Sequence, residues 1–223
     1  MLSVKETAAL LRSFDHILIL THVRPDGDTV GCAASLCAAL RSLGKTAYLL
    51  PNPGLTDTSA PYFRPYEAPE GFVAEKVVST DIATENLLPE NAKAYAGRID
   101  LAIDHHPSHE GFGKHSLVDA DKAACGEILF ELIRELTPLT PQIALPLYLA
   151  VSTDTGCFVY SNTTGNTHRV AAALMETGID WKGVNKRHFR TKTVKRLRVE
   201  AMLLDSMRLY EEGTVAVASV TMD

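Results

Sequence analysis

The chain has 223 residues, 46% of them hydrophobic and 22% charged, which is the composition of a globular protein long enough for one large domain. Its formal net charge of −5 argues against general nucleic-acid binding, so long duplex DNA is not an expected partner. No apolar stretch approaches the roughly 20 residues of a membrane-crossing helix, and no membrane association is expected. Four cysteines without a CxxC pair, and no secretory leader, favour a cytoplasmic protein with reduced thiols.

Apolar, β-rich runs alternate with helical patterns along most of the chain. The predicted strands are 16–22, 45–50, 75–81, 98–106 and 115–120. The predicted helices are 29–44, 123–136, 141–155 and 166–178, and between 51 and 71 lies an irregular, proline-rich segment. This alternation predicts an α/β fold, with a mostly parallel sheet and helices on both faces.

The C-terminal part departs from this alternation. Residues 194–213 predict one long helix, and residues 214–223 predict a terminal strand without a partner of its own. The segment 181–199 carries eight of the 22 Lys and Arg residues and no acidic residue. Such a run is typical of a solvated helix face, and the alternative is an electrostatic funnel for a small anionic ligand.

Acidic and histidine side chains gather at the predicted strand ends, where a parallel sheet binds its ligands. They are His22, Asp26 and Asp28 after the first strand, Asp81 after the third, Asp104, His105 and His106 after the fourth, and Asp154 in "STDTG". Carboxylates gathered in one place repel one another unless a cation neutralises them. Carboxylate oxygens and imidazoles suit Mn²⁺, Mg²⁺ or Zn²⁺, and enough ligands for two ions indicates phosphoryl transfer.

Each of these positions also has a simpler interpretation when it is taken alone. Asp28 is a candidate N-cap of helix 29–44, Asp104 a candidate turn residue, and Asp154 a candidate helix-ending turn. The joint pattern, with all motifs in order in one α/β domain, favours the metal site.

The motifs "THVRPDGDTVG", "STD", "DHH" and "STDTG" resemble the successive motifs of the DHH phosphoesterase superfamily, over residues 14–160. "THVRPDGDTVGCAASL", "FVYSNTT" and the later "RTKT" look most like its nanoRNase/pAp-phosphatase branch. Those enzymes cut very short oligoribonucleotides and dephosphorylate 3'-phosphoadenosine-5'-phosphate. The resemblance implies a DHH domain (1–190), a linking helix (191–213) and the first strand (214–223) of a DHHA1-like substrate domain. The glycine-rich motif of that domain is not found in the sequence.

The resemblance also implies how the site is divided between two divalent ions, with Mn²⁺ expected and Mg²⁺ as the alternative. The implied ligands are His22, Asp26 and Asp81 for one ion and Asp28, Asp81, His105 and Asp154 for the other. Asp81 would bridge the two ions, and a hydroxide between them would be the nucleophile.

The remaining site residues are implied to act on the substrate. His106 would contact the scissile phosphate and assist the leaving oxygen, and Asp104 would orient a neighbouring histidine. From its position in the loop, Arg24 is interpreted as a solvated residue, and the alternative is that it binds a phosphate of the substrate. His109 and His115 are interpreted as surface loop residues, and Cys32 as a small buried residue.

The predicted function is a metal-dependent phosphoesterase on short RNA or nucleotide phosphates. The alternatives are an inorganic pyrophosphatase, a cyclic-dinucleotide phosphodiesterase, or a nucleotide-binding module that is inactive without a second domain. Apolar surface on the linking helix and on strand 214–221 is expected to favour self-association as a homodimer.

Overall fold

The computed structural model describes residues 1–221, so positions 222–223 of the predicted terminal strand lie outside the described residues. The chain divides into two compact units, Met1–His188 and Phe189–Asp223. The strands are β1 Ile17–Leu20, β2 Ala47–Leu49, β3 Lys76–Thr80, β4 Leu101–Asp104, β5 His115–Val118, β6 Arg208–Tyr210 and β7 Val215–Val217. The α-helices are α1 Val4–Ser13, α2 Gly27–Ser42, α3 Ala60–Phe63, α4 Cys125–Leu136, α5 Pro141–Asp154, α6 Gly165–Glu176, α7 Trp181–Asn185 and α8 Val194–Asp205.

The first unit contains a five-stranded sheet in the order β2-β1-β3-β4-β5, and every neighbouring pair is parallel. The predicted α/β fold with a parallel sheet is therefore confirmed. β1 pairs with β2 on one side and with β3 on the other. The strand order thus reverses at β1, and the crevice between the ends of β1 and β3 is where such sheets bind ligands.

Side chains of β1 are buried on both faces of the sheet, as its continuous apolar run predicts. Ile17 and Ile19 belong to the larger core, which includes residues of α2, α4 and α5. Leu18 and Leu20 belong to a smaller core on the other face. That face is covered largely by the connection between β3 and β4, which contains short 3₁₀ helices.

The close packing of α2 against α5 depends on two glycines. A Cβ atom on Gly31 would clash with the carbonyl oxygen of Pro146 and lie 2.8 Å from the Cβ of Ala150. Gly31 therefore lets the two helices approach each other closely. Gly27 serves the same contact, because a Cβ there would clash with Thr153 of α5.

The helix α1 is absent from the sequence-based prediction. It begins with a capping box, in which Ser3 Oγ accepts a hydrogen bond from Glu6 N and Glu6 Oε2 accepts one from Ser3 N. Ser-x-x-Glu before an apolar pattern is a recognised start signal for a helix. The signal was therefore present in the sequence.

The predicted helix over 194–213 is too long, because α8 ends at Asp205. Strand β6 follows and pairs antiparallel with β7, so the terminal strand has a partner after all. The turn between them places Glu211 and Glu212 at φ values of 50° and 56°, ahead of Gly213 at 88°. Left-handed residues of this kind cannot continue a right-handed helix. None of the helices in the described range 1–221 is long and apolar enough to span a membrane.

Candidate metal centre

The carboxyl ends of three strands and the end of one helix bring the predicted residues together. The loop after β1 carries His22 and leads into the first turn of α2, which contains Asp28. Asp81 follows β3 directly, His105 follows β4, and Asp154 is the last residue of α5. The cluster therefore occupies the crevice at which the strand order reverses.

One group of possible ligand atoms is formed by His22, Asp26 and Asp81. His22 Nε2 lies 3.6 Å from Asp26 Oδ1 and 3.9 Å from Asp81 Oδ2. Asp26 also caps α2, since its side chain accepts hydrogen bonds from the backbone N–H groups of Asp28 and Thr29. The N-cap of this helix is thus Asp26, and the simpler interpretation of Asp28 as that cap is wrong.

A second group is formed by Asp28, His105 and Asp154, with Asp81 beside it. His105 Nε2 lies 3.8 Å from Asp28 Oδ2, 3.7 Å from Asp154 Oδ2 and 3.6 Å from Asp81 Oδ1. Within each group the candidate ligand atoms lie within 4.8 Å of one another. These separations leave room for a cation between the atoms rather than direct hydrogen bonds.

Asp81 lies between the two groups, with Oδ2 toward His22 and Oδ1 toward both His105 and His106. It also forms a third group of possible ligand atoms with His105 and His106, since His106 Nδ1 lies 3.7 Å from Asp81 Oδ1. The side chain is only 3% exposed, and Oδ1 has no hydrogen-bond partner among the described residues. A buried carboxylate oxygen without a donor is costly, and a cation would supply the missing partner.

The electrostatics of the cluster also favour a cation. Burial, and then repulsion by Asp154, raises the pKa of the Asp28 carboxyl to about 6. Burial and the neighbouring carboxylates raise the pKa of Asp81 well above its usual range, and burial also raises that of Asp154. Protonation or a bound cation would relieve this repulsion. Together with the carboxylate and imidazole donors, this arrangement fits a hard or borderline divalent ion.

Groups outside the cluster orient two of its side chains. Asp28 accepts hydrogen bonds from the backbone N–H groups of Cys125 and Gly126, at 2.7 and 3.0 Å, and so caps the start of α4. His105 Nδ1 lies 3.1 Å from the carbonyl oxygen of Lys122. Because a carbonyl only accepts, Nδ1 carries the proton, and the lone pair of Nε2 is left facing the carboxylates.

Asp104 is fully buried at the end of β4 and interacts with two histidine side chains. His106 Nδ1 lies 2.7 Å from Asp104 Oδ1, and His109 Nδ1 lies 2.9 Å from Asp104 Oδ2. Burial opposes ionisation, but these hydrogen bonds outweigh it and hold the pKa of Asp104 well below its usual range. The same bond raises the pKa of His106. The interpretation of His109 as a surface loop residue is wrong, since its side chain is 5% exposed.

Three other predicted features are found as follows. Arg24 is exposed on the loop after β1 and has no ion pair among the contacts of the described residues. Cys32 is buried, as expected, but it is not merely apolar, because its thiol donates to Asp28 Oδ1 at 3.1 Å. In the basic segment, Lys192 and Arg196 both pair with Glu200, which is typical of a solvated helix face.

Comparison with known proteins gives relatives with similar sequences. The "Bifunctional oligoribonuclease and PAP phosphatase NrnA" of Thermus thermophilus is 32% identical over 212 residues, which cover 93% of this chain and 64% of the relative. The protein of the same name from Bacillus subtilis is 25% identical over 212 residues, which cover 92% of this chain and 66% of the relative. The chain thus spans about two thirds of the length of these relatives.

A solved structure and a family match bear on the fold. An exopolyphosphatase-related protein from Bacteroides fragilis superposes with a TM-score of 0.84 at 22% identity, over 98% of this chain and 69% of the other. Residues 16–151 match the DHH family, N-terminal domain, and this segment contains β1 to β5 and all of the predicted site residues except Asp154. The chain belongs to the DHH family.

Proposed function

We propose that the protein is a metal-dependent phosphoesterase that hydrolyses short oligoribonucleotides, 3'-phosphoadenosine-5'-phosphate or both. Family membership and the names of the relatives support the reaction class and the substrates. The single observation that carries the proposal is the position of Asp81 between two groups of ligand atoms. A carboxylate shared by two ions would hold them close together, which is the arrangement that two-metal phosphoryl transfer uses.

In this proposal two divalent ions are held by six side chains, and Mn²⁺ is the favoured ion. The ligands would be His22, Asp26, Asp28, Asp81, His105 and Asp154, with Asp81 common to both ions. When bound, such ions activate water and neutralise charge that develops on a phosphate. The preference for Mn²⁺, the cytoplasmic location and the homodimer stay predictions.

His106 is assigned to the substrate. Its Nδ1–H is directed at Asp104, so Nε2 is the nitrogen available for a phosphate oxygen or for the leaving oxygen. The side chain is 41% exposed, in contrast to the buried ligands Asp28 and Asp81. The Asp104 carboxylate would orient the ring and stabilise its protonated form.

The identity of the hydrolysed substrate and of its products separates this proposal from its alternatives. The purified chain with Mn²⁺ is offered 3'-phosphoadenosine-5'-phosphate, pyrophosphate, a 5'-phosphorylated RNA dinucleotide and a cyclic dinucleotide, and the products are resolved by chromatography. We expect AMP and phosphate from the first and mononucleotides from the third. Turnover of pyrophosphate or of the cyclic dinucleotide alone would contradict the proposed substrate class. Binding without turnover would contradict the proposed activity.

A further inference from the structure

The loop after β4 folds back so that His109 returns to the end of the strand. The His106 carbonyl oxygen accepts a hydrogen bond from His109 N at 3.1 Å, which closes a four-residue turn. Pro107 occupies the second position of this turn, where its fixed φ is favourable. The next residue, Glu110, donates from its backbone N–H to the Ala83 carbonyl at 3.0 Å. The backbone therefore holds His109 in place independently of its side chain.

The imidazole of His109 has Asp104 as its hydrogen-bond partner. Its Nδ1 lies 2.9 Å from Asp104 Oδ2, and since a carboxylate only accepts, Nδ1 carries the proton. Its Nε2 is buried without a hydrogen-bond partner among the described residues, and the ring packs on Phe112 with the centroids 5.1 Å apart. The polar interaction of this side chain is thus directed at one carboxylate oxygen.

The two oxygens of Asp104 serve different partners. Oδ1 accepts from His106 Nδ1 at 2.7 Å and from the His105 backbone N–H at 2.8 Å, whereas Oδ2 accepts from His109. Asp104 is fully buried, so without His109 its Oδ2 would lose the side-chain donor that the described residues give it. The carboxylate would then rotate toward water or another donor, and the bond to His106 would lose its direction.

We propose that His109 is a positioning residue, which fixes the Asp104 carboxylate so that Asp104 holds the His106 ring toward the substrate. The catalytic effect of His109 rests on the proposed function, whereas the hydrogen bonds from His109 to Asp104 and from His106 to Asp104 do not. Asparagine is the conservative replacement, because its Nδ2–H group can occupy the place of the histidine Nδ1–H. Alanine removes the donor. His115, which is exposed at the start of β5, offers a matched control.

The kinetic test compares wild type with His109→Ala, His109→Asn and His115→Ala, with Mn²⁺ and the preferred substrate. We expect His109→Ala to lower kcat by about 10–100-fold, with KM and bound Mn²⁺ close to wild type, as for other outer partners of a site. His109→Asn should recover most of the loss, and His115→Ala should change nothing. An unchanged kcat in His109→Ala, or an asparagine variant as slow as the alanine one, would overturn the inference. So would a loss of Mn²⁺ in His109→Ala.

A second measurement uses the metal-free protein and needs no activity. The Nδ1–H proton of His106 is followed by ¹H–¹⁵N NMR, and its exchange with water reports how firmly Asp104 holds the ring. We expect slow exchange in wild type and His109→Asn, and faster exchange in His109→Ala. Equal exchange in all three would refute the positioning role. If wild type releases no product from any substrate, the proposed function fails, while the exchange data still decide the role of His109.

Discussion

Asp81 adopts a left-handed backbone conformation directly after β3, with a φ of 58°. This conformation is uncommon for a residue other than glycine, and such strain is typical of functional sites. Asp81 is predictable from the sequence, because a carboxylate that directly follows a β-rich run lies at a strand end. The role of His109 is not, because its contact with Asp104 depends on a tight turn that returns the chain to β4. The hydrophobic pattern of the sequence indicates neither the geometry of this turn nor the burial of His109.

The assignment of His106 to the substrate predicts a selective loss of rate. His106→Ala should lower turnover by roughly 10²–10⁴-fold, which is typical for a general acid or a positioned donor. Metal content should stay near that of wild type, since the side chain is assigned to the substrate. Steady-state kinetics together with elemental analysis checks both quantities. A variant that has lost its metal would show that His106 is a ligand instead.

At the scale of elements, hydrophobic periodicity predicted all five strands of the sheet and the helices α2, α4, α5 and α6. It succeeded because each of these elements buries an apolar face in the core of the first unit. The prediction was wrong for residues 206–213, because α8 ends at Asp205, Arg208–Tyr210 form strand β6, and a turn with left-handed residues follows. Those residues are exposed, so burial does not select between the two structures.

The contact between α2 and α5 predicts a destabilising effect of a very small substitution. Gly31→Ala adds a Cβ against the Pro146 carbonyl, and we expect the free energy of unfolding to fall by about 1–3 kcal/mol. Helix propensity alone would raise the free energy of unfolding of Gly31→Ala by up to about 1 kcal/mol. The sign of the measured change therefore shows whether the steric clash or the helix propensity dominates. Denaturant unfolding of the metal-free protein measures it. Gly165→Ala is the control, because its Cβ would meet only the end of the Arg169 side chain, at 3.5 Å.

At the scale of the whole molecule, the buried carboxylates link stability to pH and to metal. The pKa of Asp28 is raised to about 6 in the folded state, above its ordinary value, so the folded state binds more protons than the unfolded state between these values. Stability of the metal-free protein must therefore fall as the pH rises through this range. The raised pKa values of Asp81 and Asp154 act in the same direction.

We accordingly expect the metal-free protein to unfold at a lower temperature at pH 7 than at pH 5. Saturating Mn²⁺ should reverse this order, because a cation that binds the ionised carboxylates stabilises the folded state more at the higher pH. Asp28→Asn should show a weaker pH dependence without metal. Differential scanning calorimetry of both proteins provides the comparison. A metal-free wild type that gains stability between pH 5 and pH 7 would contradict the electrostatic account of the cluster.

The proposed chemistry depends on Asp81 being shared by two ions, and counting the bound Mn²⁺ ions tests this sharing. Isothermal titration calorimetry, with elemental analysis after dialysis, is applied to wild type, Asp81→Ala and the exposed control Asp57→Ala. We expect two ions per chain in wild type and in Asp57→Ala, and loss of both high-affinity sites in Asp81→Ala. One ion in wild type, or two tightly bound ions in Asp81→Ala, would contradict the sharing of Asp81.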